Sequence, residues 1–211
     1  THQAVVIQAM RALSAIGDVE SVPVLTRIVA DAEADAALRL EAMTAMSPLV
    51  TADSVDLLLD VMSDPSPRMR SAAIRTLARV DPDTFLAALS GMDRDPDWTV
   101  RAAEADALTT LPLARGDARL RILLEDDDSR VVSAVLAARV ASSAPGTEAM
   151  LIERLGVDDF AARAAAARGL AALVARASVP SLVEAYRAAV GDATYVARAA
   201  ILSALAELDP M

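Results

Sequence analysis

The sequence predicts an all-α protein in which helical hairpins are stacked in series, and three observations carry that expectation. Apolar residues recur at three- and four-residue spacing, and no convincing stretch alternates with period two, so helices are expected and strands are not. Several columns of the sequence stay in phase at an interval of 31 residues. Each interval holds two apolar stretches separated by a short break, which makes one hairpin per repeat.

Arg70 and Arg101 set the interval, and stepping it in both directions gives Gln8, Arg39, Arg70, Arg101, Val132 and Arg163. The residue before each is apolar: Ile7, Leu38, Met69, Val100, Val131 and Ala162. Four residues before Arg39 and its successors stand Asp35, Ser66, Asp97, Asp128 and Asp159, residue types that accept hydrogen bonds from the free N–H groups of a helix start. Nineteen residues after them stand Leu58, Leu89, Leu120, Leu151 and Leu182, and the column fails only at Arg27, which sits beside Ile28. The last unit is displaced, because Arg198 lies 35 residues after Arg163, so four residues are inserted, expected around Ala188 to Ala193.

Within each repeat the first helix follows the capping residue, as in Met69, Ala73, Ile74 and Leu77 or Val131, Val135, Leu136 and Val140. Breaks are marked by Gly17, Pro48, Pro82, Pro112, Pro145 and Pro180. About thirteen helices of roughly 10–15 residues result. Those beginning near residues 4, 35, 67, 98, 129, 160 and 194 are expected to line one, concave layer. Their partners near 20–30, 52–62, 82–91, 113–124, 146–155 and 178–190 are expected to line a convex one. Such an α-solenoid, a right-handed superhelix of about six and a half antiparallel hairpins, is elongated. A curved rod of roughly 60–70 Å is expected, against a radius of gyration near ~17 Å for a compact globule of this length.

Composition narrows the function. The 211 residues carry 30 acids and 20 bases, a formal charge of −10, and every base is Arg. There is no Cys, one His (His2) and five aromatics: Phe85, Trp98, Phe160, Tyr186 and Tyr195. Disulfides, thiol nucleophiles and Cys/His zinc sites cannot be built, and a His-based triad would rest on a terminal residue. The acidic balance disfavours general nucleic-acid binding. No apolar run approaches the ~20 residues of a membrane span, and no signal peptide opens the chain. About a quarter of the residues are Ala, which favours helix strongly but buries little area per residue.

The segment Asp64-Pro65-Ser66-Pro67-Arg68-Met69-Arg70-Ser71-Ala72-Ala73 returns as Asp95 to Ala103, with weaker copies starting at Glu33, Asp126 and Asp192. Over essentially the whole chain this pattern resembles HEAT repeats, in the short form common in bacterial proteins and shorter than the usual ~40–47 residues. The resemblance implies a ladder in which the acid opening each turn and the Arg six residues later join neighbouring units by hydrogen bonds. The matching pairs are Glu33/Arg39, Asp64/Arg70, Asp95/Arg101 and Asp192/Arg198, with Val132 replacing the Arg after Asp126 and Val157 the acid before Arg163. If the ladder runs from an acid to the Arg of the next unit, Asp126 and Arg163 pair directly. The HEAT-like iron enzyme deoxyhypusine hydroxylase needs paired His-Glu motifs and is excluded by the single His.

Asp93-x-Asp95-x-Asp97 imitates a calcium loop, but Trp98 stands where Gly is required for the turn, so a helix cap is the better reading. The run Glu125-Asp126-Asp127-Asp128 falls where a helix N-terminus favours negative charge. No elbow, P-loop or dinucleotide motif is present, and no catalytic residue, metal or cofactor is expected. Arg75, Trp98, Asp106 and Arg168 are the candidate partner-binding residues.

The expected function is a non-catalytic scaffold that binds a protein or peptide, since solenoids offer extended concave surfaces. The alternative is an accessory HEAT region of a larger bacterial enzyme, such as a peptidyl-prolyl isomerase or a bilin-lyase-like protein. Residues 1–211 are read as one HEAT-repeat domain and as a segment of a longer chain, cytoplasmic by default. The last helix carries Val196, Ile201, Leu202, Leu205 and Leu208, so self-association through an uncapped C-terminal end is a further expectation.

Overall fold

The computed structural model describes residues 2–209. Those residues form 13 α-helices and no strand, the all-α repeat architecture the sequence predicts. The chain divides into two compact units, Thr1–Thr110 and Leu111–Met211.

The first unit holds α1 (Gln3–Ile16), α2 (Val22–Ala30), α3 (Ala36–Met46), α4 (Val55–Val61), α5 (Pro67–Val80), α6 (Pro82–Gly91) and α7 (Trp98–Leu108). Here α1, α3, α5 and α7 pack one on the next as a first layer, while α2 lies on α3 and both α4 and α6 lie on α5 as a second. Met43, Met46, Leu58, Met69, Leu77 and Phe85 are buried between the layers. The second unit holds α8 (Leu113–Leu123), α9 (Ser129–Ala141), α10 (Thr147–Arg154), α11 (Phe160–Ala172), α12 (Val179–Ala188) and α13 (Val196–Leu208). Its first layer is α9, α11 and α13, backed by α8, α10 and α12.

The periodic columns explain this arrangement. Asp35, Ser66, Asp97, Asp128 and Asp159 are the N-caps of α3, α5, α7, α9 and α11. Asp159 Oδ1 accepts from Ala161 N at 2.7 Å, and Asp97 Oδ1 accepts from Thr99 N at 2.8 Å. Ser66 makes no such side-chain bond, and Pro67 follows it at the first helical position, where a missing N–H leaves one fewer donor to satisfy. The leucine column Leu58, Leu89, Leu120, Leu151 and Leu182 is buried throughout, one residue in each of α4, α6, α8, α10 and α12. The insertion falls where α12 runs on into a 3-10 turn over Ala189–Gly191.

In the second unit alanine sets the spacing. Ala162, Ala164, Ala166 and Ala167 of α11 are buried, and Gly169 takes this to its limit. A Cβ at Gly169 would lie 3.0 Å from both Leu151 methyls and 3.1 Å from Val140 Cγ2. The helix therefore presses against its neighbours with backbone rather than side chain.

Three first-layer helices, α1, α9 and α11, are followed by a left-handed residue (Gly17, Ser143 and Val174) that lets the next N–H reach back to the helix, as Ala175 N does to Leu170 O at 3.0 Å. Gly17 does this at φ +74° without strain, whereas Val174 does it at φ +53°. Val174 is 63 % exposed, so its side chain gains little by packing. Val174→Gly is expected to stabilise the protein by about 1 kcal/mol, raising Tm by a few degrees. The reverse exchange, Gly17→Val, should lower Tm, and thermal melts followed by circular dichroism check both.

Candidate functional site

The recurring arginines build a ladder between repeats. Arg39 Nη2 lies 2.6 Å from Asp64 Oδ2, and its Nε and Nη2 also donate to Val29 O. Arg70 grips Asp95 with two bonds, Nε to Oδ2 at 2.7 Å and Nη2 to Oδ1 at 2.8 Å. Arg163 Nη2 lies 2.5 Å from Asp192 Oδ2. Both partners of each pair are largely buried, and the bond from Asp95 is the main reason that the Arg70 guanidinium holds its proton more tightly than usual.

This direction corrects the expected pairings. The carboxylate comes from the turn that opens the next repeat, not from the Arg's own turn. Its own turn supplies only carbonyls: Arg70 Nη1 donates to Asp64 O and Pro65 O, and Arg101 Nη1 to Asp95 O and Pro96 O. The turn's carboxylate is also bound to its own backbone, since Asp64 Oδ1 accepts from Ser66 N and Asp95 Oδ1 from Asp97 N. The Glu33/Arg39, Asp64/Arg70, Asp95/Arg101 and Asp192/Arg198 pairings are therefore replaced by Arg39–Asp64, Arg70–Asp95 and Arg163–Asp192. The proposed Asp126–Arg163 pair is likewise replaced, because Arg163 takes Asp192. Its partner lies 29 residues on rather than the 25 of the other two, which is the four-residue insertion. Arg198 stacks over the Tyr195 ring, 4.7 Å from its centre. Glu33 stays exposed, its N–H donating to Asp31 Oδ1.

The acidic strings serve as caps and ion pairs. Asp95 and Asp97 are engaged by Arg70 and Thr99. In the second run, Asp126 Oδ1 accepts from Asp128 N, Asp128 caps α9, and Glu125 meets Arg154 at 3.2 Å. Among the described residues no group of three or more acids or histidines is placed to hold a metal ion. Among the ion pairs outside the columns the sequence analysis followed, two join neighbouring helices with a well-covered partner. Arg11 of α1 grips Glu41 of α3 with two bonds, and buried Arg139 of α9 binds Asp117 of α8.

Arg75, Asp106 and Trp98 belong to the first unit and Arg168 to the second. Trp98 is the half-buried first residue of α7. Arg75 Nε bonds Asp106 Oδ2 at 2.9 Å across the exposed face of α5 and α7. Arg75 also lines a groove of about 430 Å³ beside Thr44, Ser47, Ala72, Thr76 and Arg79. Three repeats further along the chain, the equivalent positions are Arg168 with Ala137, Val140, Ala165, Gly169 and Ala172. These, with Ser133 and Ala141, line a groove of about 290 Å³ between α9 and α11.

The two grooves share a backbone and differ in chemistry. In the first unit the lining groups satisfy one another: the Ser47 and Thr76 hydroxyls are 2.6 Å apart, Arg79 donates to Ser47 O, and Arg75 is ion-paired. In the second unit Thr44, Ser47, Thr76 and Arg79 are replaced by Ala137, Val140, Gly169 and Ala172, and Ser133 is the one polar uncharged residue among the lining groups. Among the described residues Arg168 has no hydrogen-bond or ion-pair partner, and it is exposed. The sequence analysis singled out Arg168 but missed the groove beside it. The signal lay in a column it did not read: Thr44, Arg75, Asp106, Ala137 and Arg168, at the same 31-residue interval.

Stacked hairpins joined by an Arg–Asp ladder define the class of α-solenoid repeat proteins. Residues 31–109 match the family of HEAT repeats, and residues 5–31 match the PBS lyase HEAT-like repeat. Both matches support a HEAT-like repeat family. No curated protein shows a significant match to it. No helix among the described residues is long and apolar enough to cross a membrane.

Breaking the ladder should cost far more than breaking a surface pair. Asp95→Ala strands the largely buried Arg70 and is expected to lower stability by roughly 2–4 kcal/mol, whereas Asp106→Ala, at an exposed pair, should cost under ~1 kcal/mol. Urea unfolding of the two variants measures the difference.

The pH dependence follows from the caps and pairs. The Thr99 hydroxyl and amide hold Asp97 below the usual carboxylate range, the Thr84 amide and hydroxyl do so for Asp81, and Arg139 does so for Asp117. For a depressed carboxylate, the stabilisation is present above the unfolded value of ~3.9 and is lost as pH falls through the lower folded one. The urea midpoint should stay level from neutral pH to about 5 and drop below about 4. Asp97→Asn, which caps without a charge, should shrink that drop.

Proposed function

We propose that this chain is a non-catalytic scaffold that binds a protein or peptide through the exposed side of its first-layer helices. HEAT-repeat families are typically scaffolds of this kind. The observation that carries the reading is the recurrence of one groove, at equivalent positions of α3/α5 and α9/α11, with no second-layer residue in its lining. Repeat folds keep buried columns for packing and leave such surfaces free to vary, and binding is where that variation is used. The net charge of −10 argues against nucleic acid as the partner. The second reading, an accessory region of a larger bacterial enzyme, draws on the match of residues 5–31 to a repeat type named for a lyase. In that reading the same surface would hold the enzyme or its substrate protein.

A photo-crosslinking amino acid at Ala137 or Thr44 tests the proposal against one at Arg121, an exposed second-layer position on α8. In cells of the source organism, adducts with a defined partner are expected from the groove positions and not from Arg121. Equal labelling at all three sites, or none, overturns the reading.

A further inference from the structure

We infer that the α9/α11 groove is a binding site for a helical peptide that presents one aliphatic side chain and one carboxylate a helical turn apart. The inference rests on the scaffold reading and specifies its ligand.

The first unit supplies the template. There Arg75 of α5 is answered by Asp106, a carboxylate presented by the helix α7 that lies alongside. Arg168 of α11 occupies the equivalent position, and the helix alongside it is α13. Counting from the ladder arginines, Arg163 and Arg198, the residue of α13 in this column is the exposed Ser203, which cannot carry the charge. The cation is thus kept and its acid is not. An exposed arginine needs no partner for stability, so this alone would be unremarkable. The groove beside it makes the difference.

The floor at Ala137, Ala165 and Ala172 is apolar, and Gly169 offers no hydroxyl where the first-unit groove has that of Thr76. Val140 replaces Ser47, so no hydroxyl pair bridges the opening. A volume of about 290 Å³ lies at the lower edge of the ~300–1,000 Å³ of small-molecule sites and suits one or two aliphatic side chains rather than a large cofactor. Arg168 is the one charged residue lining it. A nucleic-acid phosphate would call for several cations, whereas a single carboxylate calls for one guanidinium. Burying an aliphatic side chain on the alanine floor supplies the non-directional part of the affinity, and the Arg168–carboxylate bond fixes orientation. A helical ligand places the two groups about 5.4 Å apart along one face, the rise of a single turn.

Fluorescence anisotropy with the whole chain tests this. The probes are two fluorescein-labelled, Ala/Gln-based helical peptides, one carrying Leu-x-x-x-Glu and the other Leu-x-x-x-Gln. The Glu peptide is expected to bind at least fivefold more tightly. Arg168→Ala should erase that preference, and Ala137→Leu, which fills the groove from an exposed position, should weaken both peptides tenfold or more. Arg75→Ala, in the first unit, should change neither. Circular dichroism melts confirm that each variant folds. Equal binding of the two peptides, or a preference that survives Arg168→Ala, overturns the carboxylate assignment and leaves the scaffold reading standing. Absence of saturable binding by either peptide overturns the groove as the site, while crosslinks from Thr44 would still support a scaffold.

Discussion

A guanidinium near the start of one first-layer helix, held between the carbonyls of its own turn and the carboxylate of the turn that opens the next repeat, fixes how successive hairpins sit on each other. Arg70 makes four such bonds, two to Asp95 and one each to Asp64 O and Pro65 O. Arginine suits the place because its planar fork presents a bidentate pair of donors to the carboxylate and further donors to the carbonyls, a geometry that the point-like lysine ammonium lacks. Each aspartate does double duty, since Asp64 and Asp95 also hold the backbone two residues on. A helix that slid along its neighbour by one turn would lose the carboxylate and strand a charge in a largely buried setting. The apolar contacts between alanine-rich helices are smooth and specify register poorly, so the ladder carries more of that specification here than in a leucine-rich core.

The same reasoning separates what the sequence discloses from what it hides. Features that depend on a residue and its close neighbours along the chain are legible: the N-caps Asp35, Asp97, Asp128 and Asp159, the buried leucines from Leu58 to Leu182, and the displacement announced by Arg198. The starts predicted near 35, 67, 98, 129 and 160 fall within a residue of the observed helices. What depends on which turn lies beside which helix is not legible. Asp64 is six residues from Arg70 and 25 from Arg39, and only the packing decides that its carboxylate goes to the second. The Arg11–Glu41 and Arg139–Asp117 pairs were hidden for a related reason. Neither recurs along the columns that were followed, so periodicity offered no signal for them.

The grooves belong to a third kind of information. They lie in exposed columns, where the fold places no demand on residue type, and so the repeat pattern that makes the architecture obvious also makes these positions look like noise. Thr44, Arg75, Asp106, Ala137 and Arg168 share a column and almost nothing else. That variety is what a binding surface on a repeat scaffold requires, because neighbouring repeats with identical faces could not tell one stretch of a ligand from another.

In the column one residue further on, the substitutions are not independent of the core behind them. Replacing the threonine of α5 by Gly169 in α11 removes a hydroxyl that bridged the groove, and it also brings the helix backbone down onto Leu151 and Val140. Glycine in a helix interior costs about 1 kcal/mol relative to alanine. Here the close approach gives that cost a structural return, since the Leu151 methyls occupy the space a side chain would need. The groove is thus supported from beneath by a buried leucine of the periodic column. Its apolar floor has the same origin as the packing of the second unit, which is why a change made to fill the groove should come from Ala137 at its rim rather than from Gly169 at its base.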